Sequence, residues 1–175
     1  MTAFVARRRF MEQVQLVDQH NRPRGSAPRA VMRRLALWHR ASYVFVFASD
    51  GRLCVQHRTA DKDIFPGALD LAAGGVVAAG EAMHVGARRE LAEELGIRGA
   101  SLQWCFNFSH VSPGLHLHGG VFTVLHDGPV ALQASEVAGV EWWLPEHALA
   151  QENVTPDSRV ALERLLGAGL IPRPA

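Results

Sequence analysis

The stretch that decides the fold runs from residue 75 to 97: Gly75-Val76-Val77-Ala78-Ala79-Gly80-Glu81-Ala82-Met83-His84-Val85-Gly86-Ala87-Arg88-Arg89-Glu90-Leu91-Ala92-Glu93-Glu94-Leu95-Gly96-Ile97. Residues 82–95 are rich in Ala, Glu, Arg and Leu, and a glycine follows, so the pattern predicts a helix over 82–95 that Gly96 stops. Glu90, Glu93 and Glu94 fall at i, i+3 and i+4, which at about 100° per residue puts them on one face. Like charges at those spacings weaken an isolated helix. A hard cation such as Mg²⁺ or Mn²⁺ removes that penalty, because oxygen ligands suit it. Such a cluster can hold more than one ion, and so neutralise a diphosphate and make hydroxide from bound water. Taken alone, it reads more readily as a solvated acidic face balanced by Arg88 and Arg89. Its surroundings change the balance. Arg89 is positioned to fix a carboxylate, for instance Glu93 one turn on. Gly74-Gly75 let backbone come close to a ligand. Glu81 stands at the mouth of the helix, where the dipole favours an acid.

Outward from this segment the chain alternates. Upstream, residues 14–18 read as a short strand, 19–25 as a turn, and 28–38 as a helix with Pro28 in its first position. Residues 42–48 and 52–58 read as a hairpin across Ser49-Asp50-Gly51. A loop over 61–67 leads into an apolar, glycine-interrupted strand over 68–77. Downstream, strands are expected near 102–109 and 117–125, joined by a loop around Ser112-Pro113-Gly114, with a last strand over 139–144. A terminal helix opens at Thr155-Pro156-Asp157, with Thr155 as cap, and stops at Gly167. A hairpin, mixed strands and three or four helices make an α/β or α+β sandwich.

The segment matches the signature Gly-x5-Glu-x7-Arg-Glu-U-x-Glu-Glu-x-Gly-U, with U aliphatic, at every fixed position. Seven specified residues at roughly one in twenty each make a chance match on the order of 10⁻⁹ per starting point. On these residues the chain resembles the Nudix family. The resemblance extends through Val17-Asp18, Trp38-His39-Arg40-Ala41, Gln56-His57-Arg58 and Phe65-Pro66-Gly67 to the branch holding isopentenyl diphosphate isomerases and their hydrolase-like bacterial relatives. It implies an αβα sandwich around a mixed sheet and hydrolysis of a diphosphate linkage in a nucleoside diphosphate-X type substrate. It also implies Mg²⁺ or Mn²⁺ on Glu90 and Glu94, with Glu93 as a further or water-mediated ligand and the Gly75 carbonyl as backbone ligand. Glu81, Arg89 and Gly74 would support the loop and the helix.

The isomerase alternative makes a sharper demand, a reactive cysteine in a strand ending Cys-Gly-His. The corresponding run here is Ala72-Ala73-Gly74-Gly75-Val76, with neither thiol nor histidine. Those enzymes also use paired glutamates on a later strand, yet no acidic residue lies between Glu94 and Asp127. Cys54 and Cys105 sit in apolar runs, Leu53-Cys54-Val55 and Trp104-Cys105-Phe106, settings that make a thiol inert. A catalytically silent binding module is the other alternative, and it would not need all three carboxylates.

The family's general base varies, and the acid-free gap narrows the choice to Glu93 or to Glu136, ahead of the last strand. Glu141 is a weaker candidate. His110, His116 and His118 surround the Ser112 loop and read as exposed imidazoles. His39 reads as structural. Trp38, Tyr43, Trp104, Phe106 and Phe108 could stack on a base but at strand spacing read as core.

Composition bounds the rest. The chain has 175 residues, 48% hydrophobic and 20% charged. That suits one domain over 1–175, with a strand–helix extension over 1–38. No apolar run suggests a membrane span, and two unpaired cysteines suit a reduced, cytoplasmic setting. A net charge of +1 demands no nucleic-acid partner. Yet Arg7, Arg8, Arg9, Arg22, Arg24, Arg29, Arg33, Arg34 and Arg40 crowd the first quarter. They read as a solvated face or as a patch for a polyphosphate or an RNA end, the latter not favoured. The expected partner is a small diphosphate, and a homodimer is compatible with the sequence.

Overall fold

The computed structural model describes residues 12–172. Among the described residues nine strands and four helices follow one another: β1 (Gln13–Val17), β2 (Pro23–Pro28), α1 (Arg29–Arg34), β3 (His39–Phe47), β4 (Leu53–Arg58), β5 (Leu69–Asp70), β6 (Ala73–Val76), α2 (Met83–Leu95), β7 (Gln103–Ser112), β8 (Leu115–Leu125), β9 (Val137–Trp143), α3 (Pro145–Leu149) and α4 (Pro156–Gly167).

Strand β3 is the axis of a mixed sheet. It runs parallel to β8 from His39 opposite Leu117 to Phe47 opposite Leu125, and antiparallel to β6 from Ala41 opposite Val76 to Val44 opposite Ala73. Its nine residues are nearly all buried, as expected of a strand covered on both faces. Alternate side chains serve opposite layers. Tyr43, Phe45 and Phe47 pack with Ala161, Leu162 and Leu165 of α4. Val44 and Val46 pack with Ala87, Leu91 and Leu95 of α2. Two helices on opposite faces of a mixed sheet make the αβα arrangement expected from the sequence.

Helix α2 follows its pattern closely. Ala87, Leu91 and Leu95 form the buried stripe at helical spacing, and Gly96 ends the helix in the left-handed region at φ 69°. Other elements differ from the sequence reading. The helix expected over 28–38 is confined to Arg29–Arg34, with Pro28 outside it. Ala36 then adopts a φ of 47°, which breaks the helical run. Residues 23–28 form a strand antiparallel to β1, so the turn expected over 19–25 shrinks. Asp18 holds it by accepting from the backbone N–H groups of His20 and Arg22, an Asx-type device. The strand expected over 68–77 is split into β5 and β6. Strands β7 and β8 are longer than expected, because Pro113-Gly114 forms a two-residue turn with Gly114 at φ 76°. The short helix α3 was not read in the sequence. Thr155 precedes α4 but makes no side-chain cap, its hydroxyl being engaged with Ser158 and Asp70.

The arginine-rich quarter does not form one face. Arg7, Arg8 and Arg9 lie outside the described residues. Arg22 and Arg24 pair with Asp18, and Arg40 donates to Asn21, whereas Arg29 and Arg33 turn inward. No helix among the described residues is long and apolar enough to cross a membrane.

Gly74 illustrates how tightly β6 meets β3. A Cβ on Gly74 would come within 1.9 Å of the Ser42 carbonyl oxygen, a backbone atom that moves only with the strand. Gly74→Ala is therefore expected to lower unfolding stability by about 1–3 kcal/mol or more, measured by urea denaturation. An unchanged midpoint would show that β6 is not held this close.

Candidate active site

The inner face of α2 carries two acids where a core helix ordinarily carries apolar side chains. Glu90 and Glu94 are only 3% and 5% exposed. They fit because the strand beneath carries glycines at 74 and 75. A Cβ on Gly75 would lie 2.7 Å from the Glu90 Oε1 atom. Glu94 Oε2 accepts from the Gly74 backbone N–H at 3.2 Å and from Gln56 Nε2 at 3.4 Å. Burial first, and the Glu90 carboxylate second, raise the Glu94 carboxyl well above its ordinary range. The pair holds strained electrostatics that a cation among the oxygens relieves.

Arg89 organises the segment. It donates to Glu81 from Nε at 2.9 Å and from Nη2 at 3.0 Å, and to Glu90 Oε1 from Nη1 at 2.6 Å. Glu81 also accepts from the Ala78 backbone N–H at 3.0 Å. The loop before α2 is thereby fastened to the helix. The sequence suggested Glu93 as the partner of Arg89. Glu93 stands 3.6 Å from Nη1 and is 41% exposed on the rim, so Glu81 and Glu90 are the principal partners. Glu93 shares the helix face only loosely with Glu90 and Glu94. Among the described residues no three His, Cys, Asp or Glu side chains converge at metal-ligating distance.

A cleft of about 580 Å³, counting the part open to solvent, runs over this face. Glu90, Glu94, Gly74 and Gly75 line it, as does Glu136, which comes over from the segment ahead of β9. Lys62 grips Glu136 at 2.5 Å, both side chains being nearly buried. Arg58, which also lines the cleft, braces the 61–67 loop by donating to the Ile64 and Phe65 carbonyls and to Asp70. Opposite lie Arg29 and Arg33.

Sequence reasoning missed Gln56 and Lys62 as site residues, and named Arg29 and Arg33 only as members of a larger arginine patch. The available signal for Gln56 was a polar residue ending the apolar run Leu53-Cys54-Val55. Other candidates fall elsewhere. Glu141 binds His57 and the Trp143 indole on an exposed strand. The three histidines are not free loop imidazoles. His118 is buried, and with His116 it stacks on Trp38, at centroid distances of 4.7 and 5.4 Å. Their ring nitrogens engage the Asp18 and Ala36 carbonyls, which ties β8 to the turns on either side of α1. Tyr43 and Phe108 are core. Trp104 is instead exposed on β7, away from the cleft lining. Cys54 is buried against α2, and burial pushes its thiol up to about 12. Burial raises Cys105 as well, and neither cysteine lines the cleft.

Acids buried on a helix over paired glycines, inside an αβα frame, accompany a fold of the Nudix kind. A NUDIX domain model matches residues 37–165, and the chain belongs to the Nudix family of hydrolases. It is 44% identical over 160 residues to the uncharacterized Nudix hydrolase PA4841 of Pseudomonas aeruginosa, covering 90% of this chain and 95% of that one. It is 41% identical over 152 residues to Nudix hydrolase YfcD of Escherichia coli K12, covering 86% and 84%. Among solved structures it is similar to DR0079 of Deinococcus radiodurans, with a TM-score of 0.76, 29% identity, and coverage of 87% and 98%. These relatives lend no support to the narrower likeness to the isomerase branch.

His39 opens β3 at the edge of the cleft, with its Nδ1 2.9 Å from the Leu37 carbonyl. Burial, with Arg33 as the second cause, pushes its imidazole down to about 3. The unfolded chain, with a value near 6.5, therefore binds a proton that the folded chain refuses between these limits. This contribution to stability is complete above about pH 6.5 and is lost as the pH falls toward 3. The slope is at most about 1.4 kcal/mol per pH unit. Denaturation of wild type and His39→Gln from pH 7 to pH 4 should show a shallower decline in the variant. Parallel curves would mean that His39 takes up its proton without unfolding.

Proposed function

We propose that this chain is a divalent-metal-dependent pyrophosphohydrolase that cleaves the diphosphate linkage of a nucleoside diphosphate-X type substrate. The observation that carries the reading is the burial of Glu90 and Glu94 together against the paired glycines Gly74 and Gly75 of β6. Neither apolar packing nor solvation accounts for two acids there, and their oxygens with the Gly75 carbonyl form a hard donor set. Mg²⁺ or Mn²⁺ suits that set, and when bound it would neutralise the diphosphate and lower the pKa of a water. The nucleoside diphosphate-X part rests on family membership alone.

The chain's own groups then divide the work. Glu90 and Glu94 are the principal ligands, and Glu93 on the rim serves as an outer ligand or acts through water. Arg89 and Glu81 keep Glu90 in place, and Gly74 supplies the N–H that orients Glu94. Glu136 is the better placed candidate for general base, because it faces the cleft and Lys62 fixes its position; Glu93 is the alternative. Lys62 and Arg58 add positive charge beside the carboxylates, where the departing phosphate needs stabilising. The unpaired thiols fit a reducing compartment such as the cytoplasm. Isomerase chemistry lacks a thiol in the cleft for carbon protonation.

Glu94→Gln is expected to keep its circular dichroism spectrum while kcat falls by about 100-fold or more. Released phosphate from a panel of diphosphates, with Mg²⁺ and with Mn²⁺, is the readout. Wild-type rates with unchanged metal dependence would overturn the assignment. In the same assay Glu136→Gln should lower kcat more than Glu93→Gln does, and the reverse order would move the base to Glu93.

A further inference from the structure

The helix α1 presents Arg29 and Arg33 one turn apart, so both guanidinium groups face the same way. Both line the cleft and are about as buried as Lys62, at 14% and 15% exposed. Their carboxylate neighbours stand off. Asp63 Oδ2 is 3.8 Å from Arg29 Nε and 3.7 Å from Arg33 Nε, and Glu12 Oε2 is 3.7 Å from Arg29 Nη1. These are ion-pair distances, too long for hydrogen bonds. Arg33 Nε and Nη1 are buried with no hydrogen-bond partner. A buried donor without a partner is costly, and a charged one more so. Burial, with Arg29 as the second cause, pushes Arg33 down to about 10, so it is still a cation at neutral pH.

Two further unpartnered polar atoms lie along the same cleft, Ser42 Oγ and Asp157 Oδ1. Burial first, and Asp70 second, raise the Asp157 carboxyl. An apolar ligand would leave the Arg33 donors unsatisfied. A phosphate group can accept from both arginines, and guanidinium suits it in charge and geometry.

We propose that Arg29 and Arg33 form a second anion subsite, which binds a phosphate group distinct from the diphosphate at Glu90 and Glu94. That this phosphate belongs to a substrate or product rests on the hydrolase reading above; the anion site itself does not. Asp63, about half exposed, is the pair's shared carboxylate neighbour but stands beyond hydrogen-bond distance of both.

The test separates the two readings. The full chain in EDTA is titrated with sodium phosphate at constant ionic strength and followed by ³¹P NMR. Wild type should bind phosphate saturably. Arg33→Gln should weaken binding by about tenfold or more, the scale of a lost charge-assisted bond. Arg29→Gln should do the same, which keeps the test valid if one variant fails to fold, and Glu94→Gln should retain binding. Absence of saturable binding to wild type, or equal affinity in wild type and the arginine variants, would overturn the proposal. Steady-state kinetics then assign the source. A KM raised about tenfold in Arg33→Gln with kcat kept identifies a substrate phosphate. An unchanged KM with lost inhibition by phosphate identifies the released one. If Glu94→Gln hydrolyses normally while the arginine variants lose phosphate, the hydrolase site is misplaced and the anion subsite stands.

Discussion

Glu90 and Glu94 lie one helical turn apart, almost without solvent, between α2 and the glycines of β6. Two carboxylates ionised together in that position would repel, and each would give up hydration that the protein replaces only in part. Much of the surrounding structure answers this problem. The missing side chains at Gly74 and Gly75 make room for the acids. The Gly74 N–H and Gln56 supply hydrogen bonds to Glu94. Arg89 binds Glu90, and its second arm holds Glu81 and with it the loop that leads into the helix. What remains unbalanced is negative charge among oxygen atoms, the condition that a divalent cation satisfies.

The sheet supplies the rigidity. Nine-residue pairing between β3 and β8, and the close fit of β6 on β3, fix the glycine strand relative to α2. The apolar stripe Ala87-Leu91-Leu95 packs on Val44 and Val46 and sets the helix's rotation. Glu90 and Glu94, adjacent to that stripe, therefore turn toward β6 while Glu93 turns outward. Lys62, Arg58, Arg29 and Arg33 line the same cleft as the acids, so a polyanion with a cation attached would meet charge of both signs there.

How much of this was legible in the sequence depended on whether the information was local. The acidic helix, its glycine stop and the two glycines before it lie within a short window, so the helix and its acidic face could be read there directly. Helical spacing points from Arg89 to Glu93, which does lie at ion-pair distance, whereas the closer partner Glu81 reaches Arg89 only once the loop folds back. Glu136 could be named as an acid but not placed, since only the pairing of β9 with β4 brings its segment over the cleft. Gln56 and Lys62 are brought to the site by long-range pairing. Arg29 and Arg33 were visible as basic residues among many. Their inward direction follows from the shortness of α1, which Ala36 ends, and from the β1–β2 hairpin against which it packs. The histidines around the β7–β8 turn looked solvent-exposed because the strands were read as shorter than they are.

The central claim is that a cation belongs between Glu90 and Glu94. Crystals grown with Mn²⁺ and measured at a wavelength where manganese scatters anomalously test it most directly. The account predicts an anomalous peak within about 2.0–2.6 Å of oxygens from both carboxylates, with the Gly75 carbonyl in the same shell. A well-ordered cleft with no peak there, or a peak only beside His116 and His118, would contradict it.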